Sequence, residues 1–339
     1  GRSANTRRAS AGQISQMPWA PPVMIDPPVE PLRPEGVQAI HDGAMHILKT
    51  IGIEFLNEEA ISIFKQAGCK VVDHTVFLDE DFVMEMVGKT PSAFTITPRN
   101  PDRKITLGGQ NLNFCIVASP PNYWDLETGK VPGTRDQCAN LLKLAQTFNC
   151  IHLTAGYPVE PVDIHASNRH LDVLFDKLVL TDKATHAYSL GKERVEDVME
   201  MVRLAGGFSE AEFEASPKMY TNINSTSPLK HDEPMIDGCL RCVRRGQGII
   251  VTPFTLAGAM APVTMAGAVA QSIAEALAAI ALFQYVGPGS PCAIGTFTSN
   301  VDMKAGAPAF GTPEYMRATQ MTGQLARFYG LPMRSSGVC

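Results

Sequence analysis

Strand-like and helical patterns alternate along most of this chain, and that alternation limits its possible folds more than any other feature. Seven short apolar runs are separated by six helical patterns, at a period of roughly 30 to 45 residues, the size of a βα unit. The predicted strands are Asn113–Ala118, Ile151–Tyr157, Thr185–Leu190, Lys218–Asn224, Gly248–Phe254, Cys292–Phe297 and Leu331–Val338, and the predicted helices are Thr134–Phe148, Ala166–Leu178, Lys192–Ala205, Asp232–Arg245, Thr264–Tyr285 and Thr312–Tyr329. Strands that alternate with helices predict a parallel sheet in an α/β fold.

Seven βα strands in one chain favour a TIM (β/α)8-type barrel over an open sheet, although a barrel needs eight strands. The seventh predicted strand reaches the chain end at Cys339 with no helix behind it. We therefore expect the natural chain to continue and the last βα unit to be missing here. The alternative is a doubly wound sheet with an edge at this point.

The N-terminal third lacks the alternation and is predicted to form two other regions. Residues 1–34 are rich in proline and are expected to be an extended arm, because proline excludes a helix there. Residues 35–112 are expected to be an α+β cap, and residues 113–339 the barrel. Within the first two regions we predict helices at Pro34–Thr50, Asn57–Gln66 and Asp79–Val87, a short strand pair at Lys70–Phe77 and a strand at Phe94–Thr97.

Composition excludes several classes of protein. The net charge of −5 argues against nucleic acid as the main partner. The eight cysteines are scattered, which indicates reduced thiols in a cytoplasmic protein. No unbroken apolar run reaches the roughly 20 residues of a membrane span. Gly258–Ile280 comes nearest, but it contains Gln271 and Glu275 and is predicted to be a buried core helix.

Familiar cofactor and metal motifs are missing from the sequence. It contains no GxxxxGK[ST], GxGxxG or GxSxG pattern. Cys239 and Cys242 form the one CxxC pair, inside a predicted helix and without a second pair at ligand spacing. We therefore predict neither a metal site nor a tightly bound cofactor.

Polar and aromatic side chains recur where the predicted strands end, at the face on which barrel enzymes place their active sites. The best developed example is Pro291–Pro313, a strand followed by a long polar loop and a helix that begins at Thr312 with Pro313 in its first position. Each such residue alone also fits a structural role, and the recurrence at one end carries the prediction. The candidates are Tyr157, His186, Tyr188, Asn222, Asn224, Phe254, Phe297, Asn300, Asp302 and Arg334.

The chemistry of this set suits one kind of ligand. Aromatic rings with a single acid favour a quaternary ammonium ion, bound by cation–π contacts. Arg334 or His186 is suited to bind a carboxylate at the other end of such a ligand. A barrel aldolase would instead need a lysine within a strand, and Lys218 only begins the fourth one.

Four blocks of sequence resemble the trimethylamine methyltransferase family, and in particular its branch without pyrrolysine, which includes glycine betaine:corrinoid methyltransferases. They are residues 40–55 (IHDGAMHILKTIGIEF), 222–229 (NINSTSPL), 248–267 (GIIVTPFTLAGAMAPVTMAG) and 295–330. The resemblance implies a TIM barrel and a cytoplasmic enzyme of methanogenesis or methylotrophy. Such an enzyme transfers a methyl group from a methylated amine to the cobalt(I) of a cognate corrinoid protein, so that the corrinoid (as methylcobalamin) is carried by the partner. We also expect a homo-oligomer.

All 339 residues are standard amino acids, which departs from the pyrrolysine-containing trimethylamine enzymes. Glycine betaine is therefore the expected substrate; proline betaine, carnitine and trimethylamine are alternatives, as is a betaine-binding barrel without catalytic activity. For the sites we expect Asp302 and His186 to be catalytic, with Asp302 balancing the cation. The expected cage consists of Tyr157, Tyr188, Phe254 and Phe297, and the expected carboxylate ligands are His186, Asn224 and Arg334.

Overall fold

The computed structural model describes residues 15–188 and 190–336, and this part of the chain is a mixture of helices and short strands. The α-helices are α1 Pro34–His46, α2 Glu58–Gln66, α3 Glu80–Val87, α4 Arg135–Thr147, α5 Arg169–Leu180, α6 Lys192–Gly206, α7 Glu210–Glu214, α8 Glu233–Arg244, α9 Met265–Val286 and α10 Pro313–Phe328. The strands are β1 Ile53–Phe55, β2 Lys70–Val72, β3 Thr75–Phe77, β4 Ala93–Ile96, β5 Ile105–Gly108, β6 Asn122–Asp125, β7 Gly129–Pro132, β8 Thr185–His186, β9 Met219–Ile223, β10 Lys230–His231, β11 Gly248–Val251, β12 Leu256–Ala257, β13 Cys292–Thr296, β14 Ser299–Asp302, β15 Ala307–Pro308 and β16 Met333–Ser335.

A parallel five-stranded sheet lies at the centre of the fold. Strands β8, β9, β11, β13 and β16 lie side by side in the order in which they occur along the chain. Helices connect them, because parallel neighbours need a crossover. The predicted parallel sheet is thus confirmed, with five of the seven predicted strands paired in it.

The other two predicted strands extend this order by single parallel bridges. Leu153 pairs with Ala184 next to β8, and Cys115 pairs with Leu153. At the Cys115–Leu153 bridge a side chain also takes part in the pairing: the Phe114 amide donates to His152 Nδ1 at 2.9 Å. Seven parallel segments therefore follow one another from Cys115 to β16, and a closed ring is not seen among the described residues.

The predicted helices are found with small shifts at their ends. Helix α4 begins with a capping box between Thr134 and Gln137. Helix α10 begins as predicted, with Thr312 Oγ1 accepting from the Tyr315 amide and Pro313 in the first turn. Helix α5 begins at Arg169, three residues later than expected. The hairpin β6–β7 and the short helix α7 were not predicted.

Helix α9 is the central helix of the main core. By length and hydropathy it would pass for a membrane span, but 89% of its most apolar window is buried within the fold. It packs against α1 and α3 from the N-terminal region and against α8 and α10. This agrees with the buried helix expected from Gly258–Ile280.

The N-terminal region shares its core with the segments that carry the parallel sheet. Val37 and Ile40 of α1 belong to the same buried cluster as Ile273 and Leu277 of α9. Strand β1 also pairs in parallel with β10, with Phe55 opposite His231. The division at residues 34 and 112 stays a prediction, and the packing is continuous across residue 112.

A second, smaller core fills the amino end of the parallel sheet on its inner side. The hairpin β4–β5 contributes Phe94, Ile96, Ile105 and Leu107, which pack with Leu153, Tyr220, Ile250 and Ala293. The Thr97 amide donates to the Pro217 carbonyl just before β9, which places the hairpin at the amino end. The carboxyl end of the sheet remains free for a site.

Glu275 of α9 fixes the loop that follows β9. Its carboxylate is fully buried and accepts from the hydroxyls of Ser225 and Ser227 and from the Leu229 amide, the last two at 2.7 and 2.8 Å. Gln271 Nε2 donates to the same carboxylate at 2.9 Å. A buried carboxylate is tolerated because several donors replace its hydration.

Glu275→Ala should lower the free energy of unfolding by about 3 kcal/mol, because the donors that face this carboxylate lose their acceptor inside the protein. Urea unfolding monitored by circular dichroism measures the change. Glu127→Ala is the control, since Glu127 is exposed in the turn between β6 and β7 and should change stability by less than about 0.5 kcal/mol. Equal midpoints for the two variants would contradict this role of Glu275.

Candidate active site at the carboxyl end of the sheet

Side-chain alternation sends one set of residues to the inner side of the parallel sheet. Tyr220, Ile250 and Ala293 lie in the inner core, so positions two and four residues further on face the same side. These positions are Asn222 and Asn224 after Tyr220, Thr252 and Phe254 after Ile250, and Gly295 and Phe297 after Ala293. In the same way, Ala184 leads to His186 and Tyr188. Tyr157 instead packs against Cys138 and Leu142 of α4 and Val173 of α5.

Four rings form the first cluster of the site. The ring of Tyr188 lies edge-on to Tyr157 at 4.8 Å and to His186 at 5.0 Å between centroids. His186 in turn meets the ring of Tyr220 at 5.2 Å. The structure therefore brings Tyr157, His186 and Tyr188 into contact and adds Tyr220.

Tyr188 is held in place by the first two parallel segments. Its hydroxyl bonds to Ser119 Oγ, and the Tyr157 amide donates to it at 3.3 Å. Gly156 makes room for this hydroxyl, because a Cβ atom at that position would lie 2.0 Å from Tyr188 Oη. The glycine is thus required by the neighbouring side chain.

His186 is buried with one ring nitrogen unpaired. Its Nδ1 atom has no hydrogen-bond partner among residues 15–188 and 190–336. Burial, together with the charges of Lys177 and Arg334, lowers the pKa of His186 well below its ordinary value of 6.5. The imidazole is neutral at pH 7, and one of its nitrogens is available to a ligand.

Three phenylalanines and an arginine form the second cluster. The rings of Phe254, Phe297 and Phe310 lie 6.1–6.4 Å apart. The guanidinium of Arg334, from the edge strand β16, lies 5.0 Å over the ring of Phe297. Its Nη1 atom is buried and has no partner in the part of the chain that the structure describes.

The two clusters face the same interior. The charge of Arg334 acts on the pKa values of His186 and Tyr220, which belong to the first cluster. Between the clusters, Thr252 donates to Asn222 at 2.7 Å, and Asn222 donates to Asn224 at 3.3 Å. Gly295 leaves space beside Thr252, whose Oγ1 lies 2.1 Å from where a Cβ atom would stand.

Two predicted site residues lie elsewhere. Asp302 is exposed in the hairpin β14–β15, where its carboxylate accepts from the Lys304 amide at 2.9 Å. Asn300 accepts from Thr312 Oγ1 at 3.0 Å and so joins this loop to the start of α10. Both lie on β14, which pairs with β12 and β15 and not with the parallel sheet, so the alternation of β13 does not set their direction. The structure therefore gives no support to Asp302 as a counter-ion inside the site.

Sequence reasoning missed other members of the site. Tyr220 shares a strand face with Asn222, and the same alternation would have identified it. Phe310 lies in the loop of the Pro291–Pro313 segment, and no strand pattern assigns it to the second cluster. Lys177 lies on a helix behind the sheet, and no strand pattern points to it.

Other polar groups are poorer candidates. Among the described residues there is no group of three or more His, Cys, Asp or Glu side chains placed to bind a metal ion. An open cleft of about 460 Å³ at the amino end is lined by Arg99, Asn100 and Asp182, among others. Its polar groups pair with one another, since Asn100 donates to Asp182 at 2.6 Å and Arg99 donates to the Thr181 carbonyl at 3.1 Å.

Known proteins resemble this chain along its length. The family model for trimethylamine methyltransferase (MTTB) matches residues 1–339. A glycine betaine methyltransferase from Desulfitobacterium hafniense is 35% identical over 306 residues, which is 90% of this chain and 64% of the relative. A proline betaine:corrinoid methyltransferase from Eubacterium limosum is 27% identical over 309 residues, covering 88% of this chain and 63% of the relative. The chain thus spans less than two thirds of the length of both relatives.

A solved structure shows the same fold. The monomethylamine methyltransferase MtmB of Methanosarcina barkeri matches 89% of this chain, and 67% of its own, with a TM-score of 0.52. At 11% identity this match concerns the fold alone.

Gly156→Ala should displace the Tyr188 ring, because its new methyl group would overlap the phenol oxygen. We expect a loss of about 2 kcal/mol in the free energy of unfolding, as for other overpacked sites. Urea unfolding and a crystal structure of the variant measure both effects. Gly36→Ala is the control: it lies in α1, where the nearest atom is 3.5 Å away, so stability should stay equal or rise. An unmoved Tyr188 in Gly156→Ala would contradict the prediction.

Proposed function

The chain belongs to the trimethylamine methyltransferase (MTTB) family, and on this basis we propose that it transfers a methyl group from a quaternary amine, glycine betaine, to the cobalt(I) of a corrinoid protein. One observation carries the choice of substrate. Arg334 Nη1 and His186 Nδ1 are both buried, both without a partner among the described residues, and both directed to the inner side of one sheet. Such unpaired groups are rare in folded proteins, and a carboxylate would pair with both.

The aromatic rings supply the other end of the proposed site. A trimethylammonium group has no N–H to donate, so it is bound by ring faces and by exclusion of water. Because Arg334 already covers Phe297 and Lys177 lies 6.0 Å from the Tyr157 ring centroid, we expect the ammonium group over the ring of Tyr188 or of Phe254. Asn222 and Asn224 lie between these walls. Asp302 has no part in this proposal, since it is exposed in the β14–β15 hairpin.

The proposed reaction needs no acid or base from the protein. The carbon–nitrogen bond breaks with its electron pair going to nitrogen, which leaves N,N-dimethylglycine as a neutral amine. The electron pair of cobalt(I) forms the new bond to the methyl carbon. The residues of the site orient the methyl–nitrogen axis and keep water away. A neutral His186 suits this role, because it binds without donating a proton to the product.

The carboxylate also ranks the alternative substrates. Trimethylamine carries none and would leave Arg334 and His186 unpaired, which disfavours it. Proline betaine and carnitine carry a carboxylate. The size of the space between the two clusters would decide which of the carboxylated amines binds. Relatives named for glycine betaine and for proline betaine agree with a carboxylated substrate.

We further propose that the seven parallel segments belong to a (β/α)8 barrel, with its eighth position between β16 and the segment around Cys115. In this arrangement residues 15–34 belong to an arm, residues 35–112 form a cap and residues 113–336 belong to the barrel; the predicted arm and barrel extend to residues 1–14 and 337–339, which lie outside the described residues. The enzyme would be cytoplasmic, possess no resident cofactor, form a homo-oligomer and receive the corrinoid on a separate protein.

Methyl transfer tests the function directly. Mixed anaerobically with glycine betaine and a corrinoid protein reduced to cobalt(I), or with free cob(I)alamin in parallel, the protein should convert cobalt(I) to methyl-cobalt(III) and release N,N-dimethylglycine. Absorbance and mass spectrometry measure the two products. Samples without the protein are the control. Binding of glycine betaine without transfer to either acceptor would instead identify a betaine-binding barrel.

Arg334→Met should weaken glycine betaine binding by roughly 10- to 100-fold, the loss expected for a hydrogen bond to a charged group. Tetramethylammonium, which lacks the carboxylate, should bind the variant as it binds the unchanged protein, because no contact to it is lost. Calorimetric titration with both ligands measures the difference. Arg327→Met is the control, because Arg327 is exposed on α10 and pairs with Glu30. Equal losses for both ligands would rule out a carboxylate at Arg334.

A further inference from the structure

Lys177 is a buried cation directly behind the candidate site. It lies on α5, is 2% exposed, and its Nζ donates to the carbonyls of Ala155 at 2.7 Å and His186 at 3.2 Å. These two carbonyls belong to neighbouring parallel segments. One ammonium group therefore joins the second and third segments at their carboxyl ends.

The two joined segments carry the first aromatic cluster. Tyr157 follows Ala155 by two residues, and Tyr188 follows His186 by two residues. Among the described residues of these segments, which exclude residue 189, backbone pairing is limited to the bridge at Leu153 and Ala184 and the bond from the Thr154 amide to the Ala184 carbonyl at 2.9 Å. Beyond it, a small cavity of about 10 Å³ opens between Tyr157, His170, Lys177, His186 and Tyr188. Lys177 thus supplies a connection where the segments separate.

The surroundings of Lys177 contain little to offset its charge. The groups that face it are the thiols of Cys115 and Cys138, the imidazoles of His170 and His186 and the phenols of Tyr157 and Tyr188, with Lys177 Nζ 6.0 Å from the Tyr157 ring centroid. Burial lowers its pKa from 10.5 to about 8. The ammonium is nevertheless protonated at pH 7, and its charge contributes to the lowered pKa of His186.

We propose that Lys177 is a positioning residue that joins the carbonyls of Ala155 and His186 and thereby sets His186 and the tyrosine rings for a carboxylated ligand, with its positive charge adding to the attraction of the carboxylate. The proposal rests on the proposed function for the identity of the ligand. We place Lys177 out of contact with the ligand. It acts through the backbone of the segments that do, and through its electric field.

A second lysine provides a matched control. Lys183 is also 2% exposed, donates to two backbone carbonyls, Ala145 at 2.5 Å and Phe148 at 2.6 Å, and has a pKa lowered to about 8. Its position differs from that of Lys177, because Lys183 lies before β8 at the amino end of the sheet and bonds to the end of α4. Any general effect of removing a buried ammonium should appear when either lysine is replaced.

The test compares Lys177→Met with Lys183→Met. We expect glycine betaine to bind Lys177→Met at least tenfold more weakly and Lys183→Met as it binds the unchanged protein, as measured by calorimetry. The affinity of the unchanged protein and of Lys183→Met should fall as the pH rises through about 8, because neutral Lys177 no longer attracts the carboxylate. This step should be absent from Lys177→Met. The ligand itself does not titrate between pH 6 and 9, so the step reports on the protein.

A third variant and a ligand-free measurement complete the design. Lys177→Arg keeps a hydrogen-bond donor and a positive charge that does not titrate in this range. The affinity of this variant for glycine betaine should therefore not change as the pH rises through 8. If Lys177→Met does not fold, Lys177→Arg takes its place in the test. The pKa of His186, followed by NMR without ligand, should rise in Lys177→Met towards 6.5, and in Lys183→Met it should not change.

The outcomes separate this proposal from the proposed function. If the unchanged protein does not bind glycine betaine, the proposed substrate is wrong, and the His186 titration alone decides the role of Lys177. If it binds, then equal affinities for Lys177→Met and the unchanged protein, equal losses in both methionine variants, or a pH step that survives in Lys177→Met would each overturn the positioning role.

Discussion

The register of the parallel sheet is the constraint on which the site depends. Because successive side chains alternate between faces, fixing Tyr220, Ile250 and Ala293 in the inner core also fixes the faces of Asn222, Phe254 and Phe297. A shift of one residue in any strand would turn its polar or aromatic residue towards the helices. The inner core at the amino end therefore determines which residues meet at the carboxyl end.

Strand periodicity predicted much of this arrangement and failed where periodicity ends. The runs that became β9, β11 and β13 were identified, and with them the inward positions His186, Asn222, Phe254 and Phe297. Asp302 was misplaced because it follows the strand by several residues, in a hairpin whose turn sets its direction. The segments at Cys115 and Leu153 form bridges instead of ladders, and His152 bonds to the neighbouring backbone there, a side-chain contact that no pattern of hydrophobicity records.

Charge is distributed unevenly between the site and its support. The inner side has Arg334, and Lys177 lies behind the sheet. The buried carboxylate of Glu275 on α9 is saturated by donors from the loop after β9 and from Gln271. Glu160, near the end of the second segment, pairs with Arg169 at 2.5 Å. The interior is therefore positively charged near Arg334 and Lys177 and lined by aromatic rings elsewhere. A zwitterion complements such a surface better than a simple cation does.

The loop after β9 is attached on two sides, and this has a bearing on how small molecules reach the interior. Its residues bond to Glu275, and β10 within it pairs with β1, so movement would break bonds to two different elements. Residues 302–307 of the β14–β15 hairpin, by contrast, are exposed. Entry and exit should have the lower kinetic barrier next to this hairpin, so the rates of association and dissociation, more than the equilibrium, would respond to crosslinking of it.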